Sequence, residues 1–363
     1  MKKVFIALLL SVVFVAVIDY ASIYYTAAGE KSNKNTEYGS GLESPKANNY
    51  RACGGVRESA DSQSQPQPSK KYEFPDYYRG IYLTVSSAKD IEKLKVFVEK
   101  AKAADMNVLV IDCQSSKFKE CVIPEENIKY CIENGIHPVA RVVLFPDGLS
   151  YYPVAQSVID EKLAIAESAC VNGFREIQFD YIRFNDSNKL KNLTLNDRYA
   201  FISSLLSKAR KHLGKYNARI AVDVFGRVPL NKDDIIGQKM ENLDEAVDII
   251  CPMAYPSHYT WSKKMQDDPY YTVYTTSVKA AERVKNAEIV TYIQAFKMRL
   301  GTNAYDHYLR EQIKAVHESG VRGYIMWNAR QDYELPLSVA KEYYKKNAKT
   351  AAKKTETPKE RPI

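Results

Sequence analysis

Two aspartates close apolar runs in the middle of this chain. Glu176-Ile177-Gln178-Phe179-Asp180-Tyr181-Ile182-Arg183-Phe184 reads as a buried strand ending in an acid, an aromatic and a base, and Asp223 falls near the end of the next such run. A carboxylate at the exit of a core strand is costly to desolvate without a partner. Arg183, three residues on, offers one. Neighbouring strands pair at about 4.8 Å, so the two carboxylates would come within reach of one small group. Such a pair suits hydrolysis of a glycosidic bond, with one acid to protonate the leaving oxygen and one carboxylate as nucleophile or base. Like charges at close range push the two pKa values apart, which assigns the roles. Arg183 makes Asp180 the nucleophile or base, and Asp223, with fewer cations near it in sequence, the general acid. Adjacent strands favour the short, retaining separation. The plain alternative for either aspartate is a salt-bridge or cap residue.

The elements that must position this pair repeat from Arg79 to about Asp332. Eight short apolar runs, over 80–84, 107–112, 137–145, 176–184, 219–225, 248–255, 289–296 and 323–328, are rich in Val, Ile, Leu and Phe. Their weak alternation suits a parallel sheet covered on both faces. The connections carry helical periodicity: Ile91, Leu94, Val98 and Ala101 share one face, and 159–169 and 199–213 repeat the pattern. Asn134-Gly135, Asn172-Gly173 and Ser319-Gly320 each precede a strand, where glycine suits a left-handed helix cap. The pattern predicts a (β/α)8 TIM barrel over 73–344. An open doubly wound sheet would want a glycine-rich first turn, where Val85-Ser86-Ser87-Ala88 stands instead.

In a barrel the strand C-termini share one rim. Around the catalytic candidates Asp180 and Asp223, the substrate-binding candidates there are Asp112, Tyr181, Arg183, Tyr255, His258, Gln294, Trp327 and Asn328. Trp327 offers either a face for a sugar ring or a core plug. Gln294 either orients a hydroxyl or satisfies a neighbour inside the barrel, and Asp112 is either a third rim carboxylate or a turn residue. His258 reads as a binding residue, and mid-strand Arg141 as the buried partner of an acid. The rim has neither a His/Cys cluster nor a Gly-rich phosphate cradle, so no metal and no other cofactor is expected.

The ends of the chain differ from its middle. Lys2 and Lys3 precede an apolar run from Val4 to Ile18, the pattern of an export signal. Residues 1–28 read as a signal peptide or a membrane anchor, and either places the remainder outside the cytoplasm. Residues 29–72 are rich in Ser, Asn, Gln, Gly and Pro and read as a disordered linker. Residues 341–363 carry eight Lys or Arg against three Glu, which accounts for +5 of the chain's formal +8. Residues 345–363 read as a basic disordered tail, solvated or touching anionic envelope polymers. The folded middle is close to neutral, which argues against a nucleic-acid partner. The six cysteines, Cys53, Cys113, Cys121, Cys131, Cys170 and Cys251, show no CxxC pair. Cys170 and Cys251 read as buried small hydrophobes. One disulfide among Cys113, Cys121 and Cys131 is allowed in an exported protein.

Several stretches together resemble the bacterial putative glycosyl hydrolase domain, a TIM-barrel family distantly similar to α-amylase-type enzymes. They include Gly80-Ile81-Tyr82-Leu83-Thr84, Gly173 to Phe184, Asp223-Val224-Phe225-Gly226, Pro252 to Tyr259, Ile293-Gln294-Ala295-Phe296 and Met326-Trp327-Asn328-Ala329. The resemblance implies a (β/α)8 barrel with sugar-polymer chemistry at its top. The chain departs from the family pattern at Asn185, at Gln114-Ser115-Ser116 and at Phe145-Pro146-Asp147. The resulting expectation is an exported, tethered glycoside hydrolase acting on an envelope or extracellular polysaccharide. Its rival is a non-catalytic glycan-binding barrel that keeps the groove and not the chemistry.

Overall fold

A computed structural model describes residues 72–114, 119–187 and 190–356. The segment read as signal or anchor, nearly all of the linker and the last residues of the tail lie outside these. The chain divides after Phe74, and the unit from Pro75 onward carries the fold.

Nine strands build it: β1 (Tyr78–Leu83), β2 (Val108–Asp112), β3 (His137–Val143), β4 (Glu176–Asp180), β5 (Arg219–Phe225), β6 (Ile249–Met253), β7 (Glu288–Ile289), β8 (Thr291–Gln294) and β9 (Gly323–Trp327). Every pairing is parallel. The order β5-β4-β3-β2-β1-β9-β8-β6 closes on itself through a β5–β6 pairing. Both β7 and β8 pair with β6 and form one stave interrupted at Val290. The result is an eight-stave TIM barrel, as the sequence pattern predicts. Seven of the expected strand ends shift by a few residues at most. The fourth differs in kind: β4 stops at Asp180, because Tyr181 adopts a left-handed φ of 53° and turns the chain out of the sheet.

The helices follow from their caps and faces. Asp90 accepts the backbone N–H groups of Glu92 and Lys93 at the start of Ile91–Ala103, whose Leu94, Val98 and Ala101 are buried. Gly135, Gly173 and Gly320 take positive φ values of 74°, 110° and 73° after the helices that precede β3, β4 and β9. The last helix, Glu334–Glu356, runs well into the segment expected to be disordered from residue 345. Among the described residues no helix is long and apolar enough to cross a membrane.

Strand alternation sorts the core into two layers. Ile81, Leu83, Leu109 and Ile111 join Leu94 and Val98 in the outer core between sheet and helices. Val108, Val110, Val139, Ala221, Cys251 and Ile325 fill the inside of the barrel. Toward the strand N-termini this filling is polar: buried Glu176 accepts from Tyr78 Oη at 2.6 Å and meets His137 Nε2 at 3.0 Å. Cys113, Cys121 and Cys131 are buried free thiols, as are Cys170 and Cys251.

The β1–β9 seam depends on one glycine. Gly323 pairs with Tyr78, and its φ is 137°; a Cβ there would stand 2.1 Å from the Tyr78 carbonyl oxygen. Gly323→Ala is expected to cost more than about 2 kcal/mol, read as a lowered midpoint in urea unfolding.

Candidate active site

The mouth of the barrel is organised by Arg141. It stands in β3 opposite Asp112 of β2 and Gln178 of β4. Asp180 lies two residues beyond Gln178 and so on the same, inward face. Arg141 Nη1 donates to Asp112 Oδ1 at 2.5 Å, and its Nε and Nη2 donate to Asp180 Oδ2 at 3.0 and 2.5 Å. The other Asp180 oxygen accepts the Tyr181 N–H at 2.6 Å, and the other Asp112 oxygen accepts Tyr82 Oη at 2.5 Å. The guanidinium is roofed by aromatic faces, with its Cζ 5.2 Å from the Trp327 centroid and 5.8 Å from that of Tyr82. These two rings lie 4.1 Å apart. Burial by itself would lower the Arg141 pKa, but the two carboxylates outweigh it and hold the group well above the usual arginine value.

Arg141 thus takes the place expected of Arg183. The left-handed turn at Tyr181 carries Arg183 away from Asp180. Its Cζ lies 4.7 Å from the Phe225 ring centroid and 5.5 Å from that of Tyr181. Among the described residues it makes no ion pair.

Asp223 sits beside Asp180, because the β4–β5 register ends with Phe179 opposite Val222 and its continuation sets the two aspartates side by side. Gln178 Nε2 donates to Asp223 Oδ1 at 2.6 Å. Its other amide hydrogen lies toward Tyr292 Oη, also at 2.6 Å. Unlike Asp180, Asp223 does not end its strand. Because β5 runs on to Phe225, Asp223 lies below the exit and is only 2% exposed, against 7% for Asp180. Burial first, and then the charge of Asp180, push the Asp223 carboxyl well above the usual carboxylate range; Arg141 and the Gln178 bond offset this only in part. The arrangement holds one carboxyl against ionisation next to a second that is paired with a guanidinium.

The remaining rim candidates divide. Asp112, Tyr181 and Trp327 are partly exposed at the mouth. Tyr255, His258 and Phe296 pack as an aromatic wall, with ring centroids 5.3 to 6.1 Å apart. Burial, aided by Arg299, lowers the His258 pKa to about 4, so the ring is neutral at ordinary pH. Gln294 and Asn328 are buried, with their amides engaged by the protein. Gln294 is sealed, accepting Ser257 N–H and Tyr308 Oη through Oε1 and donating to the Phe296 and Met298 carbonyls. Asn328 donates to the Ala295 and Asp332 carbonyls and accepts Arg330 N–H. Both amides are consumed in holding rim loops. Sequence reasoning passed over Tyr82 and Gln178, and gave Arg141 one acid where it holds two. Polar residues at inward parity within apolar strands were the available signal. Among the described residues no group of three or more His, Cys, Asp or Glu side chains could hold a metal ion.

Residues 149–333, about half of the chain, match the family described as "Putative glycosyl hydrolase domain". No curated protein matches the chain in sequence. The fold is similar to that of the PgaB (BpsB) glycoside hydrolase domain from Bordetella bronchiseptica, with a TM-score of 0.55 at 10% identity, covering 74% of this chain and 98% of that one. An endo-1,4-beta-mannanase from Rhizomucor miehei gives 0.55 at 11% identity, covering 77% and 97%. A chitinase from Chromobacterium violaceum gives 0.50 at 11% identity, covering 73% and 98%.

Two outcomes follow for stability. Arg141→Met leaves two carboxylates at the mouth without their cation and is expected to cost about 3–5 kcal/mol in denaturant unfolding. Asp223→Asn acts in the opposite sense. A carboxyl whose folded pKa is raised costs stability as pH rises from its unfolded value toward its folded one. The variant is therefore expected to melt at or above the wild-type temperature at pH 8, with the gain vanishing by pH 4 in scanning calorimetry.

Proposed function

The chain belongs to the putative glycosyl hydrolase domain family, and on that premise we propose that it hydrolyses glycosidic bonds of a polysaccharide at the mouth of the barrel. The observation that carries the reading is the pair itself: a carboxyl pushed up by burial and a neighbouring acid, Asp223, beside a carboxylate paired with Arg141, Asp180. Asp180 attacks the anomeric carbon or activates a water that does, and Asp223 protonates the departing oxygen. Side-by-side placement on adjacent strands favours the short separation and hence retention through a covalent glycosyl-aspartate. Asp223, deprotonated in the first step, then takes a proton from the water that releases the sugar. Trp327 and the wall of Tyr255 and His258 supply faces for sugar rings, and Asp112 and Tyr181 polar contacts. The neighbours act on different glycans by their names, and this chain's own glycan is identified by its class alone. The charged start and apolar run of residues 1–18 support action outside the cytoplasm, on an envelope or extracellular polymer, with the chain anchored or secreted.

One observation favours a second reading. Asp223 is 2% exposed and Asp180 7% exposed, and protein donors occupy both oxygens of Asp180 and Oδ1 of Asp223. A barrel that binds glycan without cleaving it would look the same.

Asp180→Asn and Asp223→Asn separate the two. The hydrolase reading expects each to lower turnover by about 10²–10⁴-fold while glycan binding persists. It also expects wild-type activity to fall as pH rises through the raised Asp223 pKa, with the first-formed product keeping its anomeric configuration by NMR. A wild-type chain that binds glycans, releases no reducing ends, and binds equally well with both substitutions is the binding module instead.

A further inference from the structure

The geometry points to Arg183 as the receptor for a carboxylate on the sugar, so that the polymer taken at this mouth is an acidic polysaccharide built with uronate or similar carboxylate-bearing units. This rests on the glycan reading of the site and names its substrate class.

The guanidinium stands at the rim between the ends of β4 and β5, against the rings of Tyr181 and Phe225. It lies 4.7 Å from the centroid of Phe225, which ends β5 two residues beyond Asp223. It therefore stands at the exit of β5, beside the mouth and clear of Asp180. Its backbone surroundings make room for it: Gly148 has a φ of 82°, and a Cβ there would come within 2.8 Å of Arg183 Nη1.

Its donors are largely uncommitted. Nη1 gives one long bond, 3.3 Å, to the Phe184 carbonyl, and Nε is buried without an acceptor. The two other guanidiniums nearby are taken. Arg141 is held by Asp112 and Asp180. Arg227, which shares the Phe225 ring at 5.0 Å, is held by Asp234 at 2.8 Å and Asp186 at 2.7 Å. A planar fork with free donors matches a carboxylate with two parallel bonds, and flanking aromatic faces keep the fork oriented.

The charges at the mouth confine such a ligand to the neighbourhood of Arg183. Two acids, Asp112 and Asp180, face one cation in Arg141, so a carboxylate-bearing sugar would be repelled there unless another cation met it. Arg183 is that cation. Arg299, bonded to the Ser257 carbonyl at 3.2 Å, adds positive charge on the wall side. A neutral polysaccharide offers the fork no opposite charge, and a cationic one would be repelled by it.

The test compares polygalacturonate, alginate and hyaluronan with their carboxyl-reduced counterparts, and with chitin oligosaccharides, by isothermal titration and reducing-end release on the full chain. At least one acidic polymer is expected to bind ten times more tightly than its carboxyl-reduced form. Arg183→Gln is expected to bring that ratio close to one without weakening binding of the reduced form, and Arg183→Lys to fall between. Equal or tighter binding of the neutral forms by the wild type overturns the inference, as does a preference that survives in Arg183→Gln. Cleavage of neutral glycans alone overturns it while leaving the hydrolase standing. A wild-type chain that neither binds nor cleaves any glycan overturns the site reading and this inference with it.

Discussion

A single buried guanidinium answers two carboxylates at the top of this barrel. Arg141 is expensive to bury, and so are Asp112 and Asp180; together they are tolerable because each desolvated charge finds its opposite at hydrogen-bonding distance. The aromatic faces of Tyr82 and Trp327 exclude water from the cation. One cation cannot compensate three acids. Burial first, and then that shortage, push the Asp223 carboxyl well above the usual carboxylate range. The division of labour between two neighbouring aspartates is a consequence of how much positive charge the interior holds.

The fold supplies this arrangement through register. Asp112 and Arg141 stand opposite one another on β2 and β3, Asp180 lies one inward position above Gln178, the Arg141 partner on β4, and strand parity turns all of them inward. The next strand continues the line with Asp223. Gln178, one inward position below Asp180, ties the line to Tyr292 across the barrel. A slip of one residue in any of these pairings would send the charged side chains into the outer apolar layer, so barrel closure and site assembly are the same event.

Much of this could be read from the chain itself. The alternation of apolar runs and helical stretches specifies the barrel, and the glycine caps mark where strands begin. The pairing of Asp180 with Asp223 follows from their places in successive runs. Three features were out of reach. The left-handed turn at Tyr181 rests on a tertiary balance of contacts, so the shift of Arg183 away from Asp180 leaves no mark in spacing. Gln294 and Asn328 have the residue types of ligands, and only coordinates reveal that their amides are spent on carbonyls. The depth of Asp223 depends on where β5 ends, and strand boundaries are weakly encoded because apolar runs continue past them.

The amide side chains of Gln294 and Asn328 behave as keystones. Gln294 fastens the turn after β6 to the turn after β8 and to Tyr308 of the helix Tyr305–Ser319, while Asn328 ties the turn after β9 to the turn after β8. Loops that are stitched to one another cannot be swapped singly. Within this lineage, new specificities would arise by changing residues on a shared, immobile frame, and grafts between relatives would succeed only when neighbouring turns travel as a set.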